Sequence, residues 1–179
     1  MVKIASRQQM LVKREVIMTR TYVITGAASG IGAATAKILK DAGQTVIGVD
    51  LENSDVNADL STALGRQNAA AAVVDVSKGK IDAVIACAGL AHPIAKTVSV
   101  NYFGVTEFLL PLLPTLSRSK AARVAITSSM ASLLPNSSDL VAAMCADDET
   151  KALEIAQGLV DTGGGVEQLI YGSTKRAIS

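Results

Sequence analysis

The sequence contains few of the residues that mark secreted, metal-binding or membrane-spanning proteins. Its 179 residues include two cysteines, one histidine and no tryptophan. Cys87 and Cys145 are far apart and form neither a C-x-x-C nor a metal-ligand spacing, so we predict no metal site and a reducing, cytoplasmic location. No apolar run reaches the roughly 18 residues of a membrane span. Residues 1–18 also lack the continuous apolar core of a secretory signal.

The excess of basic over acidic residues is too small for a nucleic-acid-binding surface. Four basic residues and one acid give residues 1–18 a net charge of +3, which leaves −2 for residues 19–179 out of a total of +1. Binding to a polyanion requires a basic surplus that the larger part of the chain does not have. We interpret residues 1–18 as an N-terminal extension, disordered or not native to the protein, and residues 19–179 as one domain.

The order of apolar segments predicts an α/β fold. Hydrophobic residues make up 49% of the chain and aromatic residues only 3%, which favours helices packed on a parallel sheet. The predicted strands are Thr21–Thr25, Thr45–Val49, Val56–Leu60, Ile81–Ala86 and Arg123–Thr127. The predicted helices are Ile31–Asp41, Thr62–Val74, Val98–Leu113, Leu140–Met144, Asp147–Asp161 and a last helix around Tyr171. This alternation indicates right-handed βαβ units and a doubly wound, Rossmann-like parallel sheet.

A glycine-rich turn, Thr25-Gly26-Ala27-Ala28-Ser29-Gly30-Ile31-Gly32, joins the first predicted strand to the first helix. In such a turn Gly26 permits the tight bend, Gly30 lets a phosphate approach the backbone, and Gly32 lets the helix pack on the strand. The N-terminus of the helix attracts the anion. The segment therefore predicts dinucleotide binding through Gly26, Ser29, Gly30, Ile31 and Gly32.

An acidic residue closes the second predicted strand. Asp50 lies 18 residues after Gly32, close to where an acid accepts hydrogen bonds from the adenosine ribose. Its charge would repel a 2′-phosphate, and neither Leu51 nor Glu52 supplies a compensating cation. The sequence therefore favours NAD over NADP. The alternative is that Asp50 only caps the end of the strand.

Tyr171 and Lys175 are four residues apart, so they share one face of the last predicted helix. An ammonium about 5 Å from a phenol stabilises the phenolate by roughly 3 kcal/mol at an effective dielectric near 20. Such a phenol can exchange a proton near neutral pH. Alone, the pair is more simply read as two polar residues on a solvated helix face. The glycine-rich turn and the acid upstream favour a catalytic role.

Together these segments resemble the short-chain dehydrogenase/reductase superfamily, on the pattern T-G-x-x-x-G-x-G at residues 25–32 and Y-x-x-x-K at residues 171–175. Further runs resemble the bacterial 3α-hydroxysteroid dehydrogenase/carbonyl reductase branch. These runs are GIGAAT (30–35), ADLST (58–62), CAGL (87–90), VSVNYFG (98–104) and SSMAS (128–132). The resemblance extends from about Arg20 to the last residue.

The resemblance implies a catalytic tetrad of Asn101, Ser129, Tyr171 and Lys175. Tyr171 would be the general acid/base, and Lys175 would favour its ionised form and hold the nicotinamide ribose. Ser129 would bind the substrate oxygen, and Asn101 would hold a water that relays protons to Lys175. The hydride would come from NAD.

The resemblance also assigns cofactor contacts to Asp59, Leu60, Ala88 and Gly89. From the residues alone, Asp59 is only a turn former and Asn101 could cap a helix. Either Ser128 or Ser129 could simply terminate a strand. Cys87 stands where many members of the superfamily have Asn, so we assign no side-chain contact with the cofactor to it.

Two features depart from the superfamily pattern. Forty-one residues separate Ser129 from Tyr171, which predicts a helical insertion at about 133–165. An insertion before the Tyr171 helix would block the helix-pair surface through which most members form oligomers. The chain also ends four residues after Lys175. We therefore expect the fold to lack the last strands of the family, as a fragment or a truncated gene product would.

The sequence as a whole predicts an NAD-dependent oxidoreductase that interconverts a secondary alcohol and a ketone. A hydroxysteroid or another carbonyl compound would be the substrate, neither nucleic acid nor membrane is an expected partner, and a homodimer stays open. The alternative, from a different class, is a catalytically silent NAD-binding fragment or assembly subunit. Epimerases and dehydratases of related fold form a third hypothesis.

Overall fold

The computed structural model describes residues 19–179 and contains a sheet of five parallel strands, so the predicted extension at 1–18 lies outside the described residues. The strands are β1 (Thr21–Thr25), β2 (Thr45–Asp50), β3 (Val56–Asn57), β4 (Ala83–Ala86) and β5 (Arg123–Ile126). Their order across the sheet is β3-β2-β1-β4-β5. The order reverses between β1 and β4, the point at which doubly wound folds bind ligands. The predicted fold class is confirmed.

Helices and short turns connect the strands and cover the sheet. In chain order the helical elements are α1 (Gly30–Asp41), α2 (Ala63–Val76), α3 (Lys96–Val98), a π-helical segment (Ser99–Phe103), α4 (Gly104–Leu109), a 3-10 turn (Leu110–Leu112), α5 (Leu113–Leu116), a 3-10 turn (Met130–Leu133), α6 (Ser138–Cys145), α7 (Glu149–Thr162), a 3-10 turn (Val166–Gln168) and α8 (Leu169–Ala177). Side chains cap several of them. Asp148, for example, accepts a hydrogen bond from the Lys151 backbone N–H at 2.9 Å, at the start of α7.

Two predicted elements differ from those observed. The helix predicted at Val98–Leu113 is a series of α-, π- and 3-10-helical segments. The prolines at 111 and 114 each lie at the start of a new segment, because proline lacks the N–H that a continuous helix needs. The strand predicted at Val56–Leu60 ends at Asn57. The chain turns there because Asp59 accepts hydrogen bonds from the backbone and hydroxyl of Ser61.

Apolar side chains form a layer on each face of the sheet and a third cluster beside it. The larger layer packs β1, β2 and β4 against α2 and α4, and a smaller one lies under α1. The third cluster joins α6, α7 and α8 to the segment that contains Val98 and Phe103. The range 133–165 therefore contains α6 and α7, which pack against the helix of Tyr171. In the part of the chain that the structure describes, every helix is too short or too polar to cross a membrane.

Candidate active site

The carboxyl ends of β1, β2 and β4 open on a cavity of about 700 Å³. The parallel register aligns these ends, pairing Thr25 with Val49 on one side and with Ala86 on the other. The residues that the sequence predicted for cofactor contact, apart from Tyr171 and Lys175, all line this cavity. They are Gly26, Ser29, Gly30, Ile31, Gly32, Asp50, Asp59, Leu60, Ala88 and Gly89.

The glycine-rich turn has the close contacts that require glycine. Gly26 has a φ of +70°, and a Cβ there would lie 2.8 Å from the Ala88 nitrogen. A Cβ on Gly32 would lie 2.1 Å from the Gly26 carbonyl oxygen, because α1 packs directly on the turn. Gly30 has a φ of +51° but faces open space, with no atom within 4 Å of a Cβ. The turn therefore forms a backbone cradle at the first turn of α1, where N–H groups lack helical partners.

Two side chains fix this cradle to the neighbouring strands. Thr25 is buried, and its hydroxyl accepts hydrogen bonds from the backbone N–H groups of Cys87 at 3.2 Å and Ala88 at 3.1 Å. Asp50 accepts from the N–H of Ala28 at 2.9 Å and of Leu51 at 2.8 Å. Asp50 thus caps the end of β2, as the alternative reading had it, and also lines the cavity. Thr25 was not predicted as a site residue, since its role depends on a partner 62 residues away.

Asp59 is both a turn former and a wall of the cavity. Its carboxylate accepts from the Ser61 N–H at 2.9 Å and the Ser61 hydroxyl at 2.6 Å, and it lies 3.6 Å from the Lys96 ammonium. The Ser61 hydrogen bonds, with Lys96 second to them, lower the pKa of Asp59. Lys96 also lines the cavity, and no sequence motif marked it.

Lys175 lies at the carboxyl end of β5. Only 6% of this residue is exposed, and its ammonium donates a hydrogen bond to the Thr127 carbonyl oxygen at 2.8 Å. The ammonium nitrogen lies 5.8 Å from the centre of the Tyr171 ring. Burial lowers the pKa of Lys175, and the nearby Cys87 thiol acts weakly in the opposite direction. The two residues are therefore neighbours on one helix face, as their spacing predicted.

Asn101 is buried in the π-helical segment that precedes α4. Its side-chain amide donates to the Leu90 carbonyl oxygen at 2.9 Å and to the Thr174 hydroxyl at 3.2 Å, and its oxygen accepts from the Leu90 N–H at 2.7 Å. Both amide hydrogens thus have protein partners. The side chain ties the loop after Gly89 to α8, one residue before Lys175. The relay water predicted for Asn101 stays a prediction.

Ser129 is half-buried and caps the 3-10 turn that follows β5. Its hydroxyl accepts from the Ala131 N–H at 3.2 Å, whereas the neighbouring Ser128 is exposed and bonds the Ser179 hydroxyl at 2.5 Å. Helix α8 packs closely on this turn, and a Cβ on Gly172 would lie 3.4 Å from the Ala131 carbonyl oxygen. The structure therefore brings Ser129 and the Tyr171 helix to the same end of β5.

The four predicted catalytic residues lie beside the cavity and do not form its walls. The cavity extends to Cys87, Ala88 and Gly89 at the end of β4. The next strand, β5, is followed by Ser129 and approached by Lys175. Along this edge of the sheet the strand order therefore places the Asp50 carboxylate at β2 first, the glycine-rich turn after β1 next, and the Lys175 ammonium beside the Tyr171 ring at β5 last.

Comparison with known proteins assigns this arrangement to a family. Residues 20–143 match the family described as short chain dehydrogenase. The resemblance found in the motifs is thereby confirmed over more than half of the chain.

Individual relatives agree with the family match. The chain is 39% identical over 162 residues to the 3-alpha-hydroxysteroid dehydrogenase/carbonyl reductase of Comamonas testosteroni, covering 88% of this chain and 62% of that protein. It is 37% identical over 98 residues to the coniferyl-alcohol dehydrogenase of a Pseudomonas species, covering 50% of this chain and 36% of that protein. The chain therefore spans less than two thirds of the length of either relative.

A solved structure shows the same fold. The 3-alpha-hydroxysteroid dehydrogenase from Pseudomonas sp. B-0831, complexed with NADH, superposes with a TM-score of 0.79 at 40% sequence identity. The match covers 88% of this chain and 68% of that chain.

Proposed function

The chain belongs to the short-chain dehydrogenase family, and from that premise we propose that it is an NAD-dependent oxidoreductase that interconverts a secondary alcohol and a ketone. The observation that supports this most directly is the juxtaposition of a dinucleotide-sized cavity with the Lys175 ammonium 5.8 Å from the Tyr171 ring. The similar proteins named as hydroxysteroid dehydrogenases and carbonyl reductases favour a cyclic or steroid-like carbonyl compound as the substrate.

The residues of the cavity fit a nicotinamide dinucleotide. The open space at Gly30 and the free N–H groups of the first turn of α1 suit a pyrophosphate. Asp50 and Asp59 offer carboxylates to the adenosine end, and Asp50 supplies the charge that favours NAD over NADP. When bound, the cofactor supplies or accepts the hydride.

Tyr171 is the proposed general acid/base. It protonates the carbonyl oxygen during reduction and takes the hydroxyl proton during oxidation, a contribution of roughly 10²- to 10⁴-fold in rate. Lys175 stabilises the phenolate form, and the Thr127 carbonyl holds its ammonium in place. The Ser129 hydroxyl donates to the substrate oxygen as negative charge develops on it. Asn101 fixes Thr174, and through it the turn of α8 that contains Lys175.

A titration with NADH and a turnover assay test this proposal together. NADH fluorescence measures binding, and NADH absorbance measures turnover with a panel of 3-ketosteroids, cyclic ketones and aldehydes. We expect binding and turnover by the unsubstituted chain. Tyr171→Phe should lose at least about 100-fold in turnover while it still binds NADH. Tyr22→Phe is the matched control, since Tyr22 lies at the opposite end of β1 from the cavity.

A second candidate is an NAD-binding protein without turnover, and one observation favours it. The cavity walls contain the predicted contacts with the adenosine and pyrophosphate but none of Asn101, Ser129, Tyr171 and Lys175. This candidate would be supported over the oxidoreductase if the unsubstituted chain and Tyr171→Phe bind NADH equally well and neither turns over any compound in the panel.

A further inference from the structure

Arg66, in α2, is the largest fully buried side chain among residues 19–179. A guanidinium does not lose its charge in a protein, so its burial requires partners that satisfy its N–H groups. Three partners surround it. The Glu107 carboxylate accepts from Nε at 2.8 Å, the Glu149 carboxylate accepts from Nη1 at 3.2 Å and from Nη2, and the Leu60 carbonyl oxygen accepts from Nη1 at 3.3 Å.

These partners come from three separate parts of the fold. Glu107 is in α4, and Glu149 is the first residue of α7, within the range predicted as an insertion. The two guanidinium nitrogens that bind Glu149 form a bidentate pair, which fixes orientation as well as distance. Arg66 thus attaches α7 to the layer of helices that covers the sheet.

Leu60 connects this cluster to the cavity. Leu60 is 6% exposed and lines the cavity together with Asp59. Helix α4 approaches Leu60 so closely that a Cβ on Gly104 would lie 3.3 Å from the Leu60 carbonyl oxygen and 3.5 Å from the Leu60 Cβ. The Arg66 guanidinium and the backbone of α4 therefore both lie close to the Leu60 carbonyl oxygen.

We propose that Arg66 is a positioning residue for cofactor binding: it fixes the Leu60 wall of the cavity against α4 and α7. The inference rests on the proposed function, because it takes the cavity to be the dinucleotide site. Neither Arg66 nor its two glutamates lines the cavity, so the effect on the cofactor passes through the Leu60 backbone.

Two variants separate this role from a merely structural one. Arg66→Lys keeps the charge but cannot bind Glu149 in a bidentate manner while also reaching Leu60, so we expect a lower melting temperature and an NADH Kd raised about tenfold. Gly104→Ala adds a methyl group against the Leu60 carbonyl, and it also lies 3.2 Å from the Ser99 carbonyl oxygen. The helical preference of alanine offsets part of the strain from these two backbone contacts, so we expect a smaller loss of melting temperature than in Arg66→Lys, with a Kd raised several-fold.

Gly158→Ala is the matched control. Gly158 lies inside α7, and a Cβ there would have no neighbour within 4 Å. It should gain helical preference without a new contact and leave the NADH Kd unchanged.

The readouts are NADH titration by fluorescence and thermal melting of each variant. A Kd that rises in Arg66→Lys and Gly104→Ala but not in Gly158→Ala supports the inference. Arg66→Lys and Gly104→Ala binding NADH as tightly as the unsubstituted chain overturns the inference and leaves the proposed function intact. An unsubstituted chain that does not bind NADH overturns both.

Discussion

Replacing Lys175 by Met tests the electrostatic core of the proposed mechanism. The substitution removes the ammonium but keeps an unbranched side chain of similar length in a site that is only 6% exposed. The ammonium lies 5.8 Å from the Tyr171 ring centre. At an effective dielectric near 20, a charge at this distance stabilises the negative charge that develops on the Tyr171 side chain during proton transfer by about 3 kcal/mol. Because 1.36 kcal/mol corresponds to tenfold in rate, we expect turnover to fall by roughly 100-fold.

The pH dependence of the reaction distinguishes this cause from a general loss of structure. Lys175 can lose its proton whereas methionine has none to lose, and burial lowers the pKa of Lys175. The rate of alcohol oxidation by the unsubstituted chain should therefore fall as alkaline pH removes the ammonium, and the Lys175→Met profile should lack that fall. Lys151→Met, which removes an exposed ammonium from α7, should leave both rate and profile unchanged. The same pH profile for Lys175→Met and the unsubstituted chain would refute the electrostatic reasoning. NADH titration of the variant separates any loss of ribose binding from the loss of proton transfer.

The same substitution should change the pH dependence of stability. Burial lowers the pKa of Lys175 in the folded state below the ordinary lysine value of about 10.4. The unfolded chain therefore binds more protons than the folded chain in the window just below that value, and stability rises with pH there. Lys175→Met should lose this rise, which urea unfolding at a series of alkaline pH values would show. An equal slope in both proteins contradicts the assignment.

Three further substitutions have defined outcomes. Gly32→Ala places a Cβ 2.1 Å from the Gly26 carbonyl oxygen, so α1 must shift. We expect the free energy of unfolding, measured with urea, to fall by about 1–3 kcal/mol and NADH binding to weaken. An unchanged stability and affinity would contradict the close packing. Asp50→Asn leaves the Ala28 or Leu51 N–H without its acceptor and removes the negative charge. We expect the NADH Kd to rise at least tenfold, while the NADPH Kd stays constant or falls. Equal losses of affinity for both cofactors would count against a role of Asp50 in discrimination. The Ser61 hydrogen bonds lower the pKa of Asp59. The contribution of Asp59 to stability is therefore present above the ordinary aspartate pKa of about 3.9 and is lost as pH falls through its lower pKa in the folded state. Asp59→Asn should flatten the dependence of the unfolding free energy on pH across that acidic range, and an unaltered dependence would argue against this role.

The sequence predicted the strands and the cofactor turn well because their signals are local. Residues Thr21–Thr25 form β1 as predicted, and α1 begins at Gly30 within the glycine-rich turn. A buried parallel strand appears as a short apolar run, and a phosphate turn as spaced glycines. All the predicted cofactor residues outside the Tyr171–Lys175 pair therefore lie on one cavity.

The predictions were less accurate where distant residues decide the structure. The helix predicted at Val98–Leu113 is interrupted by a π-helical segment, and Asn101 in that segment bonds Leu90 and Thr174. Helical periodicity could not indicate this interruption, because the partners of Asn101 lie on either side of it in the chain. Thr25, Lys96 and Arg66 were missed for the same reason, since each acquires its role from a residue brought near by folding.

The sequence by itself determined which chemical groups the protein has and in what order they occur: a glycine turn, an acid at the end of β2, and a tyrosine four residues before a lysine. Backbone preference, apolar periodicity and helical spacing are properties of neighbouring residues, so they can be read directly from the chain. Only the tertiary structure decided that Thr127 holds the Lys175 ammonium and that Arg66 joins Leu60 to α7. Those contacts depend on burial, which gives a hydrogen bond or a charge its strength and exists only once the layers of the fold have packed.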